Sequence, residues 1–473
     1  MTAVDPRVLQ AVTKAKPLTF KYYPYILRAL VFHVYFVPTT LLLLPLMMLR
    51  ALLPFGRGRH KAWSFTQTMG VLLTRRALRN MIRFGMQPVP PREKGWREQQ
   101  NAFGAFLSLL NISGPGGVVA APRPVVKEVD QYVHDGRIDT DWFNPPPLEA
   151  FRGIITVKTD NKQIVTDSKY YHGPALVEPK WAKTRVKGFW FMYSRAHRPK
   201  QGPKGSQKRR VVLYFHGGAG VTFSAGDPFM GMTLATNLSN NLQMDVFSVE
   251  YNLAPLAPFP VQIVQGLAAY YHLMNKYGYT PDQIFIGGDS FGGWMALQLE
   301  LFLRTDGKEL SNSWDNKAPT VSGVPGLLLL SPFLCAYDKK TPSRAKFLDG
   351  SSVDYISLEF LIWCLEGLKV GQYRPSLPLA VDSACISPIC VPSDDLAKLP
   401  PSFMCVGGVA RNRVLIDTQE VLRDEDLEFA NSVNAAGGNM TVYEDVSTTR
   451  FVLPEEFRTT CLEMRKWIDR LAP

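Results

Sequence analysis

The chain has 473 residues, 46% hydrophobic and 20% charged, with 36 Gly and 36 Pro. That composition belongs to a folded protein with a sizeable core, and it excludes a disordered, collagen-like or heptad-repeat chain. The net charge of +12 lies in clusters beside apolar or loop sequence, with no basic face carrying interleaved stacking aromatics, so no nucleic-acid partner is expected.

The first predicted element is Ala29–Leu49, an uncharged stretch of 21 residues. At 1.5 Å per residue it matches a bilayer core of roughly 30 Å. It begins too far from Met1 for a cleaved signal peptide and lacks a small-residue cleavage site, so a retained membrane anchor is expected. Pro38 and Pro45 would kink a straight span or make it re-entrant or interfacial, which leaves single-pass and monotopic attachment both open. A buried arm capping the following domain is the alternative. Lys14, Lys16 and Lys21 before the stretch, and Arg50, Arg57, Arg59 and Lys61 after it, suit anionic lipid as a partner. An endoplasmic-reticulum membrane is the expected location.

Residues 1–54 therefore form an anchor segment. Residues 55–149 read as a basic helical cap or linker, with Arg75, Arg76, Arg79 and Arg83 and the loose run SGPGGVVAAPRP. Residues 150–473 read as the main domain. Its opening runs, GIITVKT and VKGFWFMYS, suit antiparallel strands. From residue 211 apolar strands (VVLYF, MDVFSVEY, QIFIGG, GLLLLSPF, SFMCVGG, TVYEDV) alternate with helical stretches at Pro260–Tyr277, Ser290–Arg304 and Glu455–Leu471. This alternation predicts an α/β protein with a mostly parallel sheet and helices on both faces. Ser351–Gly371 reads as an inserted helix, either a lid over an apolar pocket or ordinary core. Six Cys without a CxxC pair give no expectation of a metal site. Cys385 and Cys390 are spaced to close a small loop.

Gly288-Asp289-Ser290-Phe291-Gly292-Gly293 follows a strand and opens a helix. A serine on so sharp a turn needs small neighbours and presents its hydroxyl as a nucleophile. The Phe291 amide at the helix start would donate to an oxyanion. His216-Gly217-Gly218-Ala219-Gly220 follows the strand VVLYF, and the amides of Gly217 and Gly218 are candidates to complete that oxyanion hole. Tyr251-Asn252-Leu253-Ala254-Pro255 lies between the two motifs.

Together HGGAG, YNLAPL and GDSFGG resemble the HGGG, YRLAPE and GDSAGG of the hormone-sensitive-lipase-like α/β hydrolases, over about residues 211–470. The resemblance extends to the membrane-anchored arylacetamide deacetylase and fungal steryl acetate hydrolase types. It implies the α/β-hydrolase fold, no cofactor, a small hydrophobic ester as substrate, and cleavage through an acyl-enzyme on Ser290. It also implies Glu420 as the triad acid, with Asp417 as a second candidate. The family's histidine position is occupied by Thr449, and no histidine follows His272. Threonine cannot act as a general base at neutral pH. Two expectations follow. One is a serine hydrolase whose base comes from elsewhere. The other is a hydrolysis-deficient homologue serving a biosynthetic condensation or cyclisation, or holding a ligand.

Overall fold

The computed structural model describes residues 25–53, 65–84, 131–159, 164–194, 210–226, 231–254, 257–307, 323–336, 356, 360, 382–407, 420–445 and 454–471. Helices α1 (Tyr25–Leu52) and α2 (Phe65–Arg83) come first. They are followed by strand β1 (Ile138–Phe143), the pair β2 (Val165–Ser168) and β3 (Tyr171–Pro174), and β4 (Val186–Phe191). The α/β part comprises β5 (Val211–Phe215), α3 (Gly231–Leu242), β6 (Asp245–Glu250), α4 (Val261–Tyr277), β7 (Ile284–Asp289), α5 (Phe291–Arg304) and β8 (Leu327–Leu330). It closes with β9 (Ser402–Gly407), α6 (Arg423–Ala435), β10 (Met440–Asp445) and α7 (Pro454–Leu471).

Among the described residues, eight strands form one sheet in the order β1-β4-β6-β5-β7-β8-β9-β10. The β1–β4 and β4–β6 pairings are antiparallel, and every pairing from β6 through β5 to β10 is parallel. Sequence alternation decides which face each residue serves. Val211, Leu213 and Phe215 of β5 pack with residues of α4 and α5 in one core cluster. Val212 and Tyr214 pack on the other face with residues of α3 and α7. All five β5 residues are buried, as expected of a parallel strand covered on both sides. The apolar stripe of α7, Phe457, Cys461, Met464 and Trp467, recurs every three or four residues and lies in that second cluster.

Two expectations need correcting. The segment GIITVKT is not a continuous strand: Gly153–Ile155 is a 3-10 turn, and the residues after it make isolated bridges, Val157 to Val177. β1 also lies before residue 150, inside the region read as linker, so the sheet starts earlier than the expected boundary. Its alternation was masked by the acidic residues Asp139 and Asp141 of an edge strand. Cys385 and Cys390 are both free thiols. Burial of the Cys385 thiol raises its pKa to about 11, so it stays protonated and inert. Of Ser351–Gly371 only Ile356 and Phe360 are described. Phe360 is buried in the larger core cluster and Ile356 packs against its edge.

Candidate active site

β7 ends at Asp289, and the next residue turns the chain sharply into α5. Ser290 has φ 52° and ψ −116°, a conformation that costs a non-glycine residue about 1–3 kcal/mol and that the surroundings must hold in place. Three backbone bonds hold it: the Ser290 amide donates to Leu330 O at 2.8 Å, and its carbonyl accepts from Trp294 N at 3.1 Å and Phe333 N at 2.9 Å. A Cβ at position 292 would lie 1.9 Å from the Phe215 carbonyl oxygen, so only glycine lets α5 start this close to β5. Ser290 is partly exposed, and among the described residues nothing hydrogen-bonds its hydroxyl.

The loop after β5 is bound to this turn by Asp289. Its Oδ1 accepts the Tyr214 hydroxyl at 2.6 Å and the Gly217 amide at 2.9 Å. Burial raises the Asp289 pKa to about 6, partly offset by those two donors. The Gly217 amide is thus engaged, and it cannot serve as the oxyanion donor expected from the sequence. The chain then takes three left-handed residues in succession, Gly218 (φ 107°), Ala219 (φ 55°) and Gly220 (φ 69°). A Cβ on Gly218 would meet Thr222 O at 2.2 Å. Among the described residues, no acceptor is bonded to the amides of Gly218, Ala219 or Phe291. Free N–H groups on successive positive-φ residues and at a helix start form an anion-binding arrangement.

The Tyr251 motif braces this loop from behind. The Tyr251 hydroxyl donates to His216 O at 2.6 Å, and the Ala254 amide donates to Gly220 O at 2.8 Å. His216 stacks on the Tyr251 ring at 4.3 Å. His216 Nδ1 lies 2.7 Å from Gly217 O; a carbonyl only accepts, so the proton is assigned to Nδ1. Burial lowers its pKa to about 4, and the ring is neutral at neutral pH.

Glu420 lies at the same end of the sheet. Its Oε2 accepts the Ser331 hydroxyl at 2.9 Å and the Gly407 amide at 2.6 Å. Ser331 follows β8, has φ 44°, and donates its amide to Cys405 O at 2.7 Å. The register Asp289↔Leu330↔Cys405 therefore puts Ser331 between the Ser290 turn and Glu420. Asp417 and Thr449 lie outside the described residues. Asp445, four residues before Thr449, is paired with Gly407.

No described histidine bonds Ser290. His272 contacts Asp141 at 2.7 Å beside β1, with β4, β6 and β5 between that strand and β7. His134 is exposed, His172 pairs with Asp167 in the β2–β3 hairpin, and His33 lies in α1. Among the described residues no group of three His, Cys, Asp or Glu could hold a metal ion. Asp289, Tyr214 and Ser331 carry roles that residue type and spacing alone do not reveal. Asp289 lies inside the serine motif, and the tyrosine of VVLYF is the sequence trace of its partner.

A family profile described as alpha/beta hydrolase fold matches residues 212–449, half of the chain. The chain belongs to the α/β-hydrolase family. Several curated relatives match parts of this α/β hydrolase. An esterase of Acinetobacter venetianus is 29% identical over 216 residues, covering 46% of this chain and 61% of that protein. Neutral cholesterol ester hydrolase 1 of Mus musculus is 25% identical, covering 50% of this chain and 66% of that protein. Arylacetamide deacetylase-like 2 of Homo sapiens is 37% identical over 117 residues, 24% of this chain and 28% of that protein. The α/β hydrolase thus spans under two thirds of the length of each. Among solved structures, an esterase of Pyrobaculum calidifontis superposes with a TM-score of 0.50 at 18% identity, covering 81% of this chain and 95% of that one, which bears on the fold.

Proposed function

We propose that this α/β hydrolase cleaves carboxylic esters of small hydrophobic molecules through an acyl-enzyme on Ser290, and that the α1 segment attaches it to a membrane. The observation that carries the reading is a strained, partly exposed serine on a turn that Asp289 binds to the glycine loop, where, among the described residues, the amides of Gly218, Ala219 and Phe291 have no acceptor. In this mechanism the Ser290 hydroxyl adds to the ester carbonyl. The carbonyl oxygen takes the negative charge and is stabilised by those amides. Collapse expels the alcohol and leaves an ester on Ser290, which water then hydrolyses. Glu420 would orient the base. Relatives named esterases support the ester bond as the target, and the attachment is supported by the apolar helix Leu30–Leu52.

A second reading rests on Thr449 at the family's histidine position. With no base, an oxyanion site and binding alone leave roughly 10³–10⁴-fold catalysis over water. The oxyanion site would then serve a non-hydrolytic reaction or a ligand. The test is turnover of a short-chain p-nitrophenyl ester by the full chain, with Ser290→Ala alongside and fluorophosphonate labelling of both. Turnover lost in Ser290→Ala supports hydrolysis; neither turnover nor labelling supports the second reading. Thr449→His is expected to raise turnover by about 10²–10⁴-fold, the usual contribution of a positioned base. An inert Thr449→His variant would refute that placement of the base.

A further inference from the structure

Helices α1 and α2 pack together in a way that decides how the anchor meets lipid. One stripe of α1 faces outward: Leu30, Val34, Leu41, Leu42 and Leu46 are exposed, Leu42 by 78%. The opposite stripe faces α2. There Arg76 donates to Thr39 Oγ1 at 2.5 Å and to Thr40 Oγ1 at 2.9 Å. The two threonine hydroxyls donate in turn to Tyr35 O at 2.6 Å and Phe36 O at 2.5 Å. Arg83 reaches the Tyr35 hydroxyl at 3.3 Å and stands 5.5 Å from its ring centre.

Arg76 is therefore built onto the middle of the apolar helix. The candidate span is Leu30–Leu52, and at 1.5 Å per residue Thr39 and Thr40 lie about 14–15 Å from its start and about 18–20 Å from its end. Were α1 to stand across a bilayer, Arg76 would sit near the midplane, where a guanidinium has no water to solvate it. Were α2 to cross beside it, Arg75, Arg79 and Arg83 would enter the hydrocarbon as well. An orientation along the surface removes the conflict. The outward stripe of α1 then enters the acyl boundary, while the arginines of α2 lie at headgroup depth. Leu78, two residues from Arg76 and so on another flank of α2, packs into the larger core cluster. The hydrolase core thus joins α2 on a flank that α1 does not occupy.

We propose that α1 lies in the plane of a single leaflet of anionic phospholipid, with α2 above it, and does not cross the bilayer. This rests on the membrane attachment proposed above. The test uses the full chain with one epitope at the amino terminus and a second inserted after Gly58, between α1 and α2. Sealed microsomes are treated with protease, with and without detergent. Both epitopes are expected to share one fate, both cleaved or both protected. One cleaved and one protected overturns the proposal, because either a single crossing or a crossing hairpin puts the connection opposite the amino terminus. Full-length chain recovered in the supernatant of salt-washed microsomes defeats the attachment itself and is distinct from that result. The purified chain is also expected to bind vesicles of phosphatidylcholine with one-third phosphatidylserine at least about tenfold more tightly than phosphatidylcholine alone. Equal binding would overturn the headgroup placement of α2.

Discussion

Asp289 couples the serine turn to the glycine loop, and its buried carboxyl makes that coupling measurable through pH. The carboxyl titrates near 6 in the folded protein, against an ordinary value of 3.8. Between those values the folded state holds a proton that the unfolded chain has released. The folded protein therefore binds more protons, and stability falls as pH rises through this interval. At about 1.4 kcal/mol per pH unit, two units of separation amount to about 3 kcal/mol lost from pH 4 to pH 7. Asp289→Asn removes the titration and keeps an oxygen acceptor for Tyr214 Oη and the Gly217 amide, 2.6 and 2.9 Å away in the parent. Urea unfolding of both proteins across pH 4–7 reads the difference directly. The variant should gain on the parent by about 3 kcal/mol as pH rises over that range. Asp141 and Asp395, whose pKa values are lowered by donors from Lys276 and Lys169, contribute with the opposite sign but are common to both proteins and cancel. Parallel curves would refute the buried, proton-holding Asp289.

Glu420→Ala removes the acceptor for Ser331 Oγ and the Gly407 amide. Two stranded buried donors cost about 2–6 kcal/mol together; a midpoint shift in urea equivalent to less than 1 kcal/mol would mean that Glu420 does not hold this end of the sheet. Tyr251→Phe deletes the 2.6 Å bond to His216 O. It should cost about 0.5–1.5 kcal/mol and slow fluorophosphonate labelling of Ser290 by loosening the glycine loop. Unchanged labelling would show that the loop is braced without that hydroxyl.

The two short motifs were legible as strand–turn–helix junctions because glycine is needed where chains approach closely. Position 292, with Phe215 O at 1.9 Å from a built Cβ, is such a place. Which glycine amide stays free was not legible. Gly217 and Gly218 are equivalent in sequence, and only the approach of Asp289 from a strand 72 residues away takes the first and leaves the second. Glu420 was reached through family likeness. Its bond to Ser331, 89 residues earlier, exists because β8 and β9 are neighbours in a parallel sheet. β1 was missed because an edge strand with Asp139 and Asp141 lacks a clean apolar alternation, and its place comes from pairing with β4.

Local chemistry along the chain determined the class of fold, the serine turn, the apolar amino-terminal stretch and the absence of a histidine after His272, since each depends on residue type and near spacing. Tertiary structure alone decided which groups meet. Asp289 is paired with Gly217 and not solvated, Glu420 is bonded to Ser331, His272 is held by Asp141 beside β1, and Arg76 is fastened to the centre of α1. Hydrogen bonds reach about 3 Å in space and take no account of distance along the chain, so such partners follow only once strand order and helix packing are set.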